Sequence, residues 1–133
     1  MANEATILEL SGMNPVNFTC YDSLNISKGA LCKLSGDFIV TTSTAATCLF
    51  AGIAAADKVA NDGSTKIALY TPGQNNIFDI TNASTGTITL GGILALSGVN
   101  VVRQAIAAEL LTGAVVGKAL EAAAAGEVIR VIV

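Results

Sequence analysis

A chain of 133 residues with 52% apolar and 13% charged side chains, no Trp and no His is long enough for one sizeable core and short for several. Net charge is −3 and the Lys and Arg residues are scattered, so no basic stripe interleaved with aromatics is offered to nucleic acid. The longest uncharged apolar run, residues 48–56, falls far short of the ~18 residues that a membrane span needs. The opening MANEATILEL carries acids where a secretory signal would carry basic residues, so the expectation is a chain that starts here and is made in the cytoplasm.

In chain order, residues 2–14 read as an arm in which Thr6, Leu8 and Leu10 alternate with Ile7 and Glu9, broken by Gly12 and Asn14–Pro15. VNFTCY over 16–21 has period two and predicts a half-buried strand; Ala30–Leu34 and FIVTT over 38–42 are the next two. Leu49–Ala54 is continuously apolar around Gly52 and predicts a buried strand, followed by one helical turn over 55–60 with Asp57 and Lys58 outward. Asn61-Asp62-Gly63 is a strong turn signal, because Asp-Gly reaches positive φ at little cost, and Thr65–Tyr70 alternates again. After the joint 72–76, strand patterns return at 77–81, 88–90, 93–96 and 101–103, with Gly91–Gly92 as a bend. AIAAELL over 105–111 is the best helix candidate, stopped by Gly113, and the chain finishes on the strand EVIRVIV.

The halves echo each other. LFAGIAAADKVANDGSTKIALY (49–70) answers to AVVGKALEAAAAGEVIRVIV (114–133), with Gly52 matched to Gly117, Gly63 to Gly126, and Ile67 and Leu69 to Ile129 and Val131. KGALCKLSG (28–36) answers to LGGILALSG (90–98), and Ile26 to Ile88. The helix candidate belongs to the second copy alone, since its counterpart reads FIVTTSTAAT. The fold class is therefore mainly β: a small barrel- or sandwich-like domain of two similar halves, with one short helix near 105–111. The expected divisions are an arm over 1–14 and a single β domain over 15–133, its halves spanning about 16–71 and 77–133.

No chemistry assembles along the chain. Without His the commonest general base and metal ligand is missing and a Ser-His-Asp triad is impossible, and no catalytic, metal or cofactor-binding residue is assigned. Neither phosphate-binding glycine motif occurs, and the acids are singletons. Cys20, Cys32 and Cys48 are odd in number and widely spaced, which favours small buried hydrophobes over disulfides or a metal knuckle. Ser27–Lys28 and Ser64–Thr65–Lys66 read as loop polarity.

The segments MANEATI, KGALCKLSG, FAGIAAADKVANDGSTKIALYTPG, FDIT, ITLGGILALSG and TGAVVGKALEAAAAGEVIRVIV together resemble the head decoration, or capsid cement, proteins of tailed bacteriophages. The resemblance covers most of the chain and rests on framework motifs. It implies a structural virion protein, not an enzyme, that is made in the host cytoplasm. Homotrimers would bridge major capsid proteins on the outer surface of the DNA-filled head. It also implies capsid contact through the start of the arm: Ala2, Asn3, Glu4, Ala5, Thr6 and Ile7. The joint PGQNNIFD departs from the family pattern by about three residues, Gln74–Asn76. The alternative is a virion-surface β domain that binds a host glycan or protein; the aromatics available to it are Tyr21, Tyr70, Phe18, Phe38, Phe50 and Phe78, and the Phe residues lie in patterns that favour burial.

Overall fold

The computed structural model describes residues 3–46, 48–83 and 85–133. Ala2 lies outside the described residues. Among the described residues eleven strands are formed: β1 Thr6–Glu9, β2 Val16–Thr19, β3 Leu31–Gly36, β4 Ile39–Thr42, β5 Phe50–Ala54, β6 Lys66–Tyr70, β7 Ile77–Asn82, β8 Ile93–Gly98, β9 Val101–Gln104, β10 Val115–Ala119 and β11 Val128–Ile132. Period-two patterning explains most of them. In β6, Ile67 and Leu69 point inward while Lys66 faces water; in β11, Ile129 and Val131 point inward and alternate with the exposed Val128 and Arg130.

The repeat closes into two barrels of the same topology. The first runs β2-β4-β3-β5-β6 and closes through β6 against β2; the second runs β7-β9-β8-β10-β11 and closes through β11 against β7. In each, one contact is parallel, Thr19 beside Ile39 and Thr81 beside Val101, and the other four are antiparallel. Closure removes the open edges that a five-stranded sheet would present. Beyond the strands the match persists: Ile26 bridges Lys58 in the first barrel, and Ile88 bridges Ala123 in the second. β1 stands outside this symmetry, adding an antiparallel strand to β7.

Gly52 and Gly117 show why both copies of the matched stretch need a glycine in the middle of an apolar strand. A Cβ on Gly52 would meet the Tyr70 carbonyl, and one on Gly117 would meet the Ile132 carbonyl, at distances no side chain tolerates. Both glycines let a neighbouring strand end press close, which is what tight closure of a small barrel demands.

The first barrel holds its own core, with Cys20, Ile26, Cys32, Val40, Ile67 and Leu69 buried inside it. The larger core belongs to the second barrel and to the joint: Phe78, Ile80, Leu94, Leu96, Val102 and Val131 pack in one cluster with Leu31, Phe50 and Ile53 of the first barrel. Burying those three side chains contributes about 6 kcal/mol of apolar transfer, so the two barrels are welded rather than tethered.

Local departures from the sequence reading have physical causes. Residues 107–111 form a 3₁₀ helix, not two α turns: Ile106 is extended at φ −88° and ψ 163°, Thr112 N–H bonds back three residues to Glu109 O, and Gly113 turns away at φ 80°. Over 55–60 no helical turn forms. The segment instead bridges Ile26 through Lys58, which is buried at 4% exposure rather than turned outward.

Candidate interaction surfaces

From Ala5 onward the arm is part of the folded body. Ala5 is buried and its N–H donates to Gly29 O at 2.7 Å; Thr6 and Ile7 lie opposite Asp79 and Phe78, with Ile7 packed on the main core. Thr6 remains exposed, Glu4 is half-buried, and Asn3, at φ 65°, lines a shallow cleft with Thr81, Asn82, Ser97 and Gly126. The arm residues named from the sequence thus divide between one strand and its approach, and the exposed atoms are those of Asn3, Thr6 and the strand's outer side.

The joint residues Gln74–Asn76 form a polar clamp. Asn76 Oδ1 accepts from Ser11 N–H at 2.8 Å, Gln74 Nε2 donates to Asn14 O at 3.0 Å, and Asn76 Nδ2 donates to Gln74 Oε1 at 3.4 Å. Asn75 N–H donates to Val133 O and Val133 N–H to Asn76 O, at 3.0 and 2.9 Å. Gln74–Asn76 tie the end of the arm to the last residue of β11's run, with Gln74 and Asn76 buried. Buried amides so satisfied hold a unique geometry.

Lys58 anchors the loop after β5. Its ammonium donates to Val59 O at 2.7 Å, Asp62 Oδ1 at 2.9 Å, Asp22 O at 3.0 Å and Asp22 Oδ1 at 3.4 Å. Burial works to lower its pKa, but the hydrogen bonds and charges of Asp62 and Asp22 outweigh it and hold the pKa above the ordinary lysine value. Reciprocally, the bond from Lys58, with Ser64 N–H, holds the Asp62 carboxyl below its usual range. Every donor of the ammonium is occupied within the chain, so the cluster is a loop anchor. Ala123 stands at the matched place in the second barrel, where Asn82 Nδ2 bonds Ala124 O and Gly86 O instead.

On the second barrel, Glu109 is buried and accepts from Arg103 Nη2 at 2.6 Å and Ile106 N–H at 2.9 Å. That double acceptance draws the 3₁₀ turn onto β9 and leaves Ile106, Leu110 and Leu111 facing out. Charge-assisted bonds of this kind are about twice as strong as neutral ones.

The three cysteines are free. Burial pushes the Cys32 thiol up to about 12, and burial also raises Cys20. Cys48 is half-buried, and although burial works to raise its pKa, bonds from Thr44 and Ala45 together with the Lys33 charge bring it below the ordinary value. Among the described residues no three His, Cys, Asp or Glu side chains converge as a metal site would require, and no helix is long and apolar enough to cross a membrane.

What the surface does carry is apolar area. Among the described residues sixteen large apolar side chains are exposed. They include Leu8 and Leu120, which share a cleft with Ile77, Glu9, Glu121 and Arg130, and Phe38 and Leu49, which share another with Leu34 and Asp37. Phe38 overturns the expectation of burial drawn from its FIVTT context: it stands at φ 57° and 56% exposed, its ring stacked on Phe18 at 4.7 Å. Phe50 and Phe78 are buried as their patterns require. Singly exposed apolar residues are ordinary on a protein surface, whereas groups of them in clefts mark contact surfaces. A scan against protein-family models finds no match, and a search of curated proteins returns no significant relative.

Proposed function

We propose that this protein is a structural subunit of a tailed-virus capsid, decorating the outer surface as a homotrimer that bridges major capsid proteins and resists the pressure of packaged DNA. The observation that carries the reading is the pairing of a rigid, doubly closed β framework with exposed apolar clefts in a chain only 13% charged. Permanent protein contacts are depleted in charge at their centres, and such a framework transmits load without deforming. The sequence resemblance to capsid cement proteins adds the site of action. In this reading the capsid contact uses the arm approach, Asn3 to Ile7, beside the cleft that Asn3 lines. The test is re-addition of the purified protein to expanded heads that lack it. Saturable binding in fixed proportion to the major capsid protein, with DNA release moved to higher temperature, supports the proposal; heads that pellet without it refute it. The receptor-binding alternative draws on Phe38, and it predicts that Phe38→Ala abolishes attachment to host cells while leaving head binding intact.

A further inference from the structure

The two barrels are equivalent in topology but not in what their matched residues do. Sixty-two residues separate β3 from β8 and β4 from β9, which pairs Phe38 with Asn100, Leu31 with Ile93, and Ser43 with Ala105. Inside the chain, the β8–β9 turn acts as a plug and the first barrel as its seat. Asn100 Oδ1 accepts from Leu31 N–H at 2.9 Å, Gly98 O accepts from Ser43 Oγ at 2.9 Å, and Asn100 N–H donates to Ser43 Oγ at 3.2 Å. Leu31, Ser43 and Asn100 are all buried by this joint.

The chain also carries a second plug and a second seat, both uncovered. The β3–β4 turn presents Phe38 in the same left-handed conformation as Asn100, φ 57° at each, a region that bulky side chains rarely enter. Beside it Leu49 is 47% exposed, where its counterpart Ala114, 65 residues on, is buried. On the second barrel the seat keeps its backbone: Ala105 N–H donates to Ile93 O at 2.8 Å, as Ser43 N–H does to Leu31 O. Yet Ile93 is 37% exposed and its neighbour in the seat, Ile106, 60%. The chemistry of plug and seat changes together. Within the chain a polar Asn meets a Ser hydroxyl; at the uncovered pair an apolar Phe is matched by an Ala that has no hydroxyl to satisfy. Asp37 beside the plug and Lys118, which lies opposite Ile93 in the β8–β10 register, are of opposite sign, while the other charges at the seat, Arg103 and Glu109, pair with each other.

We propose that the occupant is a second copy of this chain: the Phe38 turn of one copy docks on the Ile93–Ile106 seat of the next, repeating between copies the joint that welds the barrels within one. Such a contact is heterologous, each copy giving one plug and one seat, and it closes into a ring when the rotation allows. The inference rests on the part of the capsid reading in which copies associate, and names the contact through which they do so.

The test uses the full chain, Phe38→Asn and Ile106→Asp, with masses read by native mass spectrometry. Asn suits the left-handed turn, as Asn100 does, and gives up only the stacking on Phe18, while Ile106 is exposed, so both variants keep the wild-type circular dichroism and stay folded at the temperature of the measurement. The wild type associates, and each variant alone weakens association about 30-fold, the loss of one anchor residue. An equimolar mixture then gives a one-to-one heterodimer and nothing larger, because only the intact plug of Ile106→Asp and the intact seat of Phe38→Asn remain. A monomeric wild type, a variant that keeps the wild-type mass, or a mixture that stays monomeric overturns the proposal. Failure of the capsid reading looks different: the mixture behaves as stated and the heads bind nothing.

Discussion

Replacing Asn100 with Ala removes the side-chain acceptor of the buried Leu31 N–H, at the joint between the barrels. An orphaned buried donor costs about 1–3 kcal/mol. Ala at φ 57° also lacks the short polar side chain that lets Asn occupy the left-handed region, for about 1 kcal/mol more. The expected loss is about 3 kcal/mol, which lowers the melting temperature by about 10 °C in a chain of this length. Asn100→Gly separates the two causes, since glycine accepts the φ but offers no acceptor, and it should lose about 1 kcal/mol less than Ala. The assay is urea denaturation followed by circular dichroism, with the slope against denaturant unchanged between variants. An Ala variant within about 0.5 kcal/mol of wild type would refute the claim that this turn holds the barrels together, because surface substitutions fall in that range.

Three further outcomes follow from the same geometry. Gly117→Ala, whose Cβ would collide with the Ile132 carbonyl, should cost about 3 kcal/mol in denaturant melts, while Gly126→Ala, with open space and φ 79°, should cost about 1 kcal/mol; equal losses would remove the close-approach argument. The Lys58 cluster makes stability depend on pH at both extremes: Asp62 contributes above 3.8 and loses its contribution as pH falls through its depressed folded value, and Lys58 contributes below 10.5 and loses its own as pH rises through its raised one. Lys58→Met should lower the melting temperature at neutral pH and flatten the alkaline limb, and an alkaline limb identical to wild type would contradict the assignment. Thiol alkylation at neutral pH should label Cys48 first and Cys32 last, as peptide mapping over time would show; prior labelling of Cys32 would mean that its burial is wrong.

Much of the architecture was legible because it is written in periodicity and repetition. Ile26 and Ile88, matched in the sequence, each make an isolated bridge, and Gly52 and Gly117, matched likewise, each admit the carbonyl of a neighbouring strand end. The strands at 66–70 and 128–132 follow from alternation alone. What was not legible depends on partners far away along the chain. Asn100 reads as a turn residue, and its acceptor role exists only because Leu31, 69 positions earlier, is brought against it. Lys58 reads as a surface lysine in ADKVAND until Asp22 folds over it from 36 residues upstream. Phe38 reads as the first residue of a buried strand, yet the irregularity between Leu34 and Gly36, which sets Gly36 opposite Ile39, places Phe38 in the turn and swings it outward. The repeat revealed the two halves; only the closed barrels reveal that their matched turns have opposite fates, one buried at the joint and one left facing out.

The most direct test of the account is the solution mass of the unmodified chain, measured by light scattering coupled to size exclusion. A self-associating structural subunit predicts a species near 40 kDa, three times the chain's 13.4 kDa. A mass of 13.4 kDa that persists at concentrations up to about 1 mM would contradict it, since contacts weaker than that carry only about 4 kcal/mol.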